Sequence, residues 1–202
     1  MPKDIVNHAK QYVTEVLETL KDRWFLYHNL KHTIEVLNRS TYLAEKEGVS
    51  VEDLEIIQLG ALFHDLGFVK RYEQNESIGA EIAQNFLMEN DYPEYKTKKV
   101  VEIILSTSPL IEPKCKLWAI LKDADLDNMW REDFLSKNML LRYECKFIKG
   151  LKINEKIRLE KTLDFLKEIN MYTNTQKKER AWNFEENKNT LAKLIWQRTK
   201  AI

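Results

Sequence analysis

Four histidines occur in the 202 residues, and three of them stand in two tight patterns, Tyr27-His28-Asn29-Leu30-Lys31-His32 and Phe63-His64-Asp65-Leu66-Gly67. Spacing of i, i+4 puts the imidazoles of His28 and His32 on one helix face, so one can bind a metal ion while the other meets a substrate. His64-Asp65 closes the most hydrophobic stretch of the chain, where an ionised carboxylate is costly unless paired or metal-bound. A helix-end salt bridge is the plain alternative, but Leu62, Phe63, Leu66 and Phe68 are apolar surroundings for a solvated pair. Further on, Lys122-Asp123-Ala124-Asp125-Leu126-Asp127 sets three acids within five residues of an otherwise apolar segment. One acid could cap the next helix or pair with Lys122; three together favour a cation or a hydrogen-bond network around one. His8 stands alone and reads as a packed or surface residue.

The elements that must position these groups read as helix after helix. Five glycines and four prolines leave little punctuation for hairpins or a sandwich. Apolar periodicity predicts helices over about 5–20 and 30–46, and the Ser50-Val51-Glu52-Asp53 capping box opens a third that ends near Gly67. Later helices are expected at about 77–90, 94–106, 115–128, 131–149, 153–169 and 174–199, with Pro93, Pro109, Pro113 and Gly150 in the gaps. The expected fold is all-α: a single-domain multi-helix bundle over 1–202, with the metal-site core at about 24–130 and C-terminal helices at about 131–202 packed on it. Trp118, Trp130, Trp182 and Trp196 read as core, and Lys96-Thr97-Lys98-Lys99 as a solvated face.

Composition narrows the partners. Lys+Arg and Asp+Glu both count 32, so no global field draws in nucleic acid or an anionic membrane. Cys115 and Cys145 form no CxxC pair, which argues against a disulfide scaffold or zinc knuckle and suits a reducing cytoplasm. Met1-Pro2-Lys3-Asp4 opens no apolar core of signal-peptide length, and no run approaches the ~20 apolar residues of a membrane span. A soluble, cytoplasmic protein is expected, with its oligomeric state open and a homodimer among the options.

An early histidine, a His-Asp doublet on an apolar helix and a late aspartate after Ala124 together resemble the HD superfamily of metal-dependent phosphohydrolases. Tyr27-His28-Asn29 with His32 also resembles the opening motif of cyclic-nucleotide phosphodiesterases of that superfamily. The resemblance, which runs on to Phe165-Leu166 and Tyr172-Thr173, implies one divalent ion held by His32, His64, Asp65 and Asp125, with His28 as general acid. Asp125 is preferred to Asp123 because the superfamily's late ligand follows a small residue. Such a mixed N/O set suits Mn²⁺, Fe²⁺, Co²⁺, Ni²⁺, Zn²⁺ or Mg²⁺ and leaves open positions for water and a phosphate oxygen.

There are departures. Binuclear members add histidines after the doublet, but this chain has none beyond residue 64. Phe68-Val69 stands where small alarmone hydrolases carry Glu-Asp, and the glutamate of deoxynucleotide 5′-nucleotidases is missing as well. The implied activity is that of a phosphomonoesterase or phosphodiesterase acting on a nucleotide or other small phosphorylated metabolite. Glu76 or Asp127 would orient water and Lys70, Arg71 and Lys122 would anchor the substrate. The alternative is a metal- and nucleotide-binding sensor of the same fold without turnover.

Overall fold

The computed structural model of the chain describes residues 4–20, 23–109, 111–150 and 154–200. Every regular element among them is helical: α1 (Ile5–Glu18), α2 (Leu30–Lys46), α3 (Val51–Phe63), α4 (Asn75–Glu89), α5 (Glu94–Leu105), α6 (Lys116–Asp125), α7 (Phe134–Lys149), α8 (Glu155–Glu168) and α9 (Asn174–Lys200). Short 3-10 turns follow α3 and α6, at Leu66–Val69 and Leu126–Trp130. The fold is all-α, as the periodicity implied. Met1-Pro2-Lys3 and the expected helix start at 153 lie outside the described residues.

Helix starts are set by short polar side chains that satisfy orphan N–H groups. Ser50 accepts from the Asp53 amide at the head of α3, and Asn29 accepts from the Lys31 and His32 amides at the head of α2. Two ends differ from expectation. The third helix stops at Phe63 rather than near Gly67, and α6 stops at Asp125 rather than 128; each then tightens into its 3-10 turn. Tightening swings the side chains that follow off the helix face, and Asp65 sits in the bridge region at φ −102°, ψ 3°.

Apolar residues all round α3, including Ile56, Ile57, Leu59, Leu62 and Phe63, are buried, which places this helix at the centre of the bundle. Residues of α1, α2, α4, α5 and α6 complete that core, while Met129, Trp130, Phe134, Leu159, Leu166 and Leu191 form a second one beneath α7, α8 and α9. Trp130 is buried and Trp118 packs partly against the main core, but Trp182 and Trp196 are 71% and 58% exposed. The core reading fails for these two because α9 is a long outer helix that is buried only at Gln176, Asn187 and Leu191. Of the run expected to be a solvated face, Lys98 and Lys99 are exposed, with Lys98 on Glu94 (2.7 Å), whereas Lys96 is partly buried on Glu55 (3.3 Å) and Thr97 is buried because it faces the core side of α5.

Two glycines let α4 press against the end of α3. A Cβ on Gly79 would stand 2.7 Å from the Phe63 carbonyl oxygen, and one on Gly67 only 2.0 Å from that of Asn75. Both obstacles are backbone atoms that no rotamer change can move. Gly79→Ala should therefore cost about 1–3 kcal/mol of stability, and Gly67→Ala at least as much. Urea unfolding that finds both variants as stable as the parent would show that α4 shifts freely and does not brace the His64-Asp65 turn.

Candidate metal centre

Three helix ends converge beneath α4. His32 comes from the first turn of α2, His64 caps the C-terminus of α3 with Asp65 next to it, and Asp125 is the last residue of α6. His32 Nε2 lies 3.2 Å from Asp125 Oδ1 and 3.4 Å from Asp65 Oδ2; His64 Nε2 lies 3.4 Å and 3.1 Å from the same two oxygens. One ligand atom from each of His32, His64 and Asp125 lies within 4.8 Å of the others. Burial by itself would push both imidazoles down, but the two carboxylates hold His32 above the ordinary histidine range and His64 well above it. Burial likewise opposes ionisation of Asp65 and Asp125, and the histidines outweigh it, so both carboxyls are held low.

A divalent ion fits these residues. His64 Nε2 and Asp65 Oδ2 are buried with no hydrogen-bond partner, an unusual state for two polar atoms that both face the cluster. The outer contacts point the same way. His64 Nδ1–H donates to the Ala61 carbonyl (2.8 Å), which leaves Nε2 as the ligand atom, and Asn75 Nδ2 donates to Asp65 Oδ1 (3.3 Å), which leaves Oδ2. Between the two late aspartates the geometry is decisive. Asp123 turns away and accepts from the Tyr172 amide (3.0 Å), the Thr173 amide (2.7 Å) and the Thr173 hydroxyl (2.8 Å), and burial pushes its carboxyl up to about 6.

His28 reaches the cluster by another route than helix periodicity. It precedes the cap residue Asn29, whose backbone is extended (φ −144°, ψ 178°), so His28 and His32 do not share a helix face. Their rings are nonetheless 6.0 Å apart, because Asn29 Nδ2 ties the loop back to the Phe25 and Leu26 carbonyls. The loop is also held by Glu144 of α7, a residue the sequence reading missed. Its fully buried carboxylate accepts from the amides of Tyr27 (2.7 Å) and His28 (3.0 Å), from the Tyr72 hydroxyl (3.0 Å) and from His28 Nδ1. Burial opposes ionisation of Glu144, but the His28 ring and these donors keep its carboxyl below the usual range. Nothing local in Tyr143-Glu144-Cys145 marks this role, since its partner lies 116 residues away.

A cavity of about 460 Å³ opens beside the cluster, with Tyr27, His28, Asp65, Asn75 and Asp125 among the residues that line it. Glu76 lines it, as expected of a group near the chemistry, and the other expected residues fare differently. Lys122 is in the wall, but its ammonium is engaged by the carbonyls of Ser108 (2.7 Å), Ile111 (2.5 Å) and Ser106 (3.5 Å). Lys70 and Arg71 are exposed and lie outside the cavity, with Arg71 turned to the Glu73 carbonyl and Gln74. Asp127 also lies outside it, because Arg180 (2.9 Å), Gln176 (2.9 Å) and Arg39 (3.2 Å) hold its carboxylate. Lys149 also lines the cavity, over the Tyr72 ring at 4.2 Å and 3.1 Å from Glu73. His8 packs on Phe86, away from the cluster.

The HD domain family matches residues 29–129, half of the chain, and that span contains His32, the His64-Asp65 doublet and Asp125. The chain belongs to the HD-domain family. HD domains form a superfamily of metal-dependent phosphohydrolases. Two solved structures share the fold. One is the Lin1889 protein of Listeria innocua, 20% identical, with a TM-score of 0.63 over 95% of this chain and 96% of that one. The other is YpgQ of Bacillus subtilis in complex with ADP, 20% identical, with a TM-score of 0.64 over 98% of this chain and 95% of that one. Among curated proteins, none matches the sequence. The family match starts one residue after His28 and stops short of Glu144, so this pair is a feature of the chain outside the matched HD segment.

In the metal-free state the two carboxylates favour protons on His32 and His64, and a divalent ion must displace them. Metal binding is therefore expected to release protons, and its apparent affinity to rise with pH through a window reaching above the ordinary histidine range. Titration calorimetry in buffers of different ionisation enthalpy reads the proton count directly. A heat independent of buffer would contradict the histidine assignment. Elemental analysis should find about one ion per chain, lost in His64→Ala and Asp65→Ala and kept in His28→Ala.

Proposed function

We propose that this HD domain is a mononuclear metal-dependent phosphohydrolase acting on a small phosphorylated metabolite, with a nucleotide as the favoured class. The observation that carries the reading is the group of His32, His64 and Asp125, with Asp65 beside both histidines, next to a cavity of substrate size that a separately held imidazole, His28, also lines. A divalent ion bound by His32, His64, Asp65 and Asp125 would supply Lewis-acid stabilisation of a phosphoryl group and activation of water. The protein's own groups supply the rest. Glu144 fixes His28 through Nδ1, so Nε2 is the ring nitrogen left to give a proton to the departing oxygen. Asn75 keeps Asp65 Oδ2 turned inward, and Glu76 lies in the same wall, where it can orient water.

Substrate class follows from the wall of the cavity. Lys149, now paired with Glu73, is a cation in that wall that a phosphate could engage, and Leu126, Met129, Leu141, Phe165 and Ile169 add apolar lining fit for a base or other planar group. The structurally similar YpgQ was solved in complex with ADP, a ligand of the nucleotide class. The enzyme reading is favoured over a sensor because an imidazole braced by a buried carboxylate is set up to hand over a proton, which binding alone does not require.

A panel of nucleotides, cyclic nucleotides and sugar phosphates with several divalent ions tests the activity, and binding without turnover of any of them would leave the sensor reading standing. Leaving-group dependence tests the acid. His28→Ala should slow alkyl phosphate esters by about 10²–10⁴-fold while slowing nitrophenyl esters little, since that leaving group departs unaided. Glu144→Gln should show the same selectivity to a smaller degree. Equal losses on both esters would mean that His28 positions phosphate and that the proton comes from elsewhere, Glu76 first.

A further inference from the structure

Helix α7 is anchored to its own chain along one face. Phe134, Lys137 and Glu144 are buried there, with Lys137 on Glu35 at 2.7 Å and Glu144 on the Tyr27-His28 loop. The opposite face is apolar and bare. Leu135, Met139, Leu140, Tyr143 and Phe147 are each 38–50% exposed, and at 100° per residue they fall on one side of the helix. Trp24 extends the patch, 55% exposed, with its ring stacked on Phe147 at 4.3 Å and its backbone in the left-handed region that bulky residues avoid (φ 66°).

We propose that this face is the interface of a two-fold homodimer, in which α7 packs antiparallel on α7 of a second copy. The area suits it. Six large apolar side chains exposed to this extent amount to on the order of 500 Å² of contiguous patch, more than scattered surface residues account for. Two such patches together reach roughly the 1,000 Å² that a specific interface needs.

Self-complementarity selects a copy of this chain over another partner. Leu135 and Tyr143 stand four residues either side of Met139 on α7. A two-fold axis through Met139 therefore sets Leu135 against Tyr143 of the second copy, a contact made twice. Four-residue offsets keep both side chains close to the Met139 face of the helix. The second copy would also clamp the helix that carries Glu144.

Sedimentation velocity on the full chain tests the proposal without reference to activity. The parent should be dimeric and Met139→Glu monomeric with unchanged helicity. Leu135→Glu and Tyr143→Glu should each weaken the dimer by about tenfold or more. In a Cys115→Ser background, Met139→Cys should form an intermolecular disulfide on mild oxidation, because an axial residue meets its own copy. A parent that stays monomeric at its highest soluble concentration would overturn the proposal. So would a dimer indifferent to Met139→Glu, Leu135→Glu and Tyr143→Glu, and a dimer that forms no Met139→Cys disulfide would overturn the axis.

Discussion

A carboxylate taken out of water costs several kcal/mol unless the protein returns what water supplied, and this bundle buries Asp65, Asp123, Asp127 and Glu144. Each solution is different, and the differences sort the acids by role. Asp123 receives two amides and a hydroxyl from the head of α9. Asp127 receives guanidinium groups from α2 and α9, and Glu144 receives two amides, a phenol and an imidazole. These three are satisfied by the chain itself. Asp65 has Asn75 on one oxygen and leaves the other turned toward His32 and His64 without a hydrogen bond. A charge left in that state asks for a cation, which is why the cluster around Asp65, and none of the other three, reads as a metal centre.

The satisfied acids are also the joints of the fold. Asp127 binds α2, the 3-10 turn after α6 and the start of α9 together, with Gln176 bridging Arg39 and the Asp127 carboxylate. Removing one partner from such a network leaves a buried charge unpaired, the costly outcome, whereas the intact network holds three elements in one arrangement. The Asp123 contacts pin the same end of α9 from the other side. Together they fix the C-terminal helices over the mouth of the cavity, where Phe165, Ile169 and Tyr172 form part of the wall.

What could be read from the sequence divides along the same line. Helix positions were legible because period 3.6 is local; apolar company marked His64-Asp65 and the three late acids as unusual, and the family resemblance singled out Asp125 among them. Asp127 was misjudged from identical local signs. Its apolar neighbours imply burial, but whether a buried acid faces a cation or an arginine depends on Arg39 and Arg180, far away in the chain. Lys122, Lys70 and Arg71 were chosen for nearness in sequence, and sequence distance says little about which side of a wall a flexible cation occupies. Glu144 and Lys149 carried no signal, since α7 reads as an ordinary amphipathic helix.

The case of His28 shows how a sound conclusion can rest on the wrong geometry. Periodicity placed it beside His32 on one helix, yet α2 begins only at Leu30. What brings the rings together is Asn29, which caps α2 with its side-chain oxygen and binds the preceding loop with its side-chain nitrogen. The Tyr27-His28-Asn29 triplet is thus a hinge, and its aim is set by Glu144 rather than by the helix. The matched HD segment spans 29–129, so His32, His64, Asp65 and Asp125 lie within it, whereas His28 and Glu144 come from just outside it. The candidate metal-binding group and the imidazole beside it are thus held by different parts of the chain, the first by the ends of α2, α3 and α6 and the second by the loop and α7.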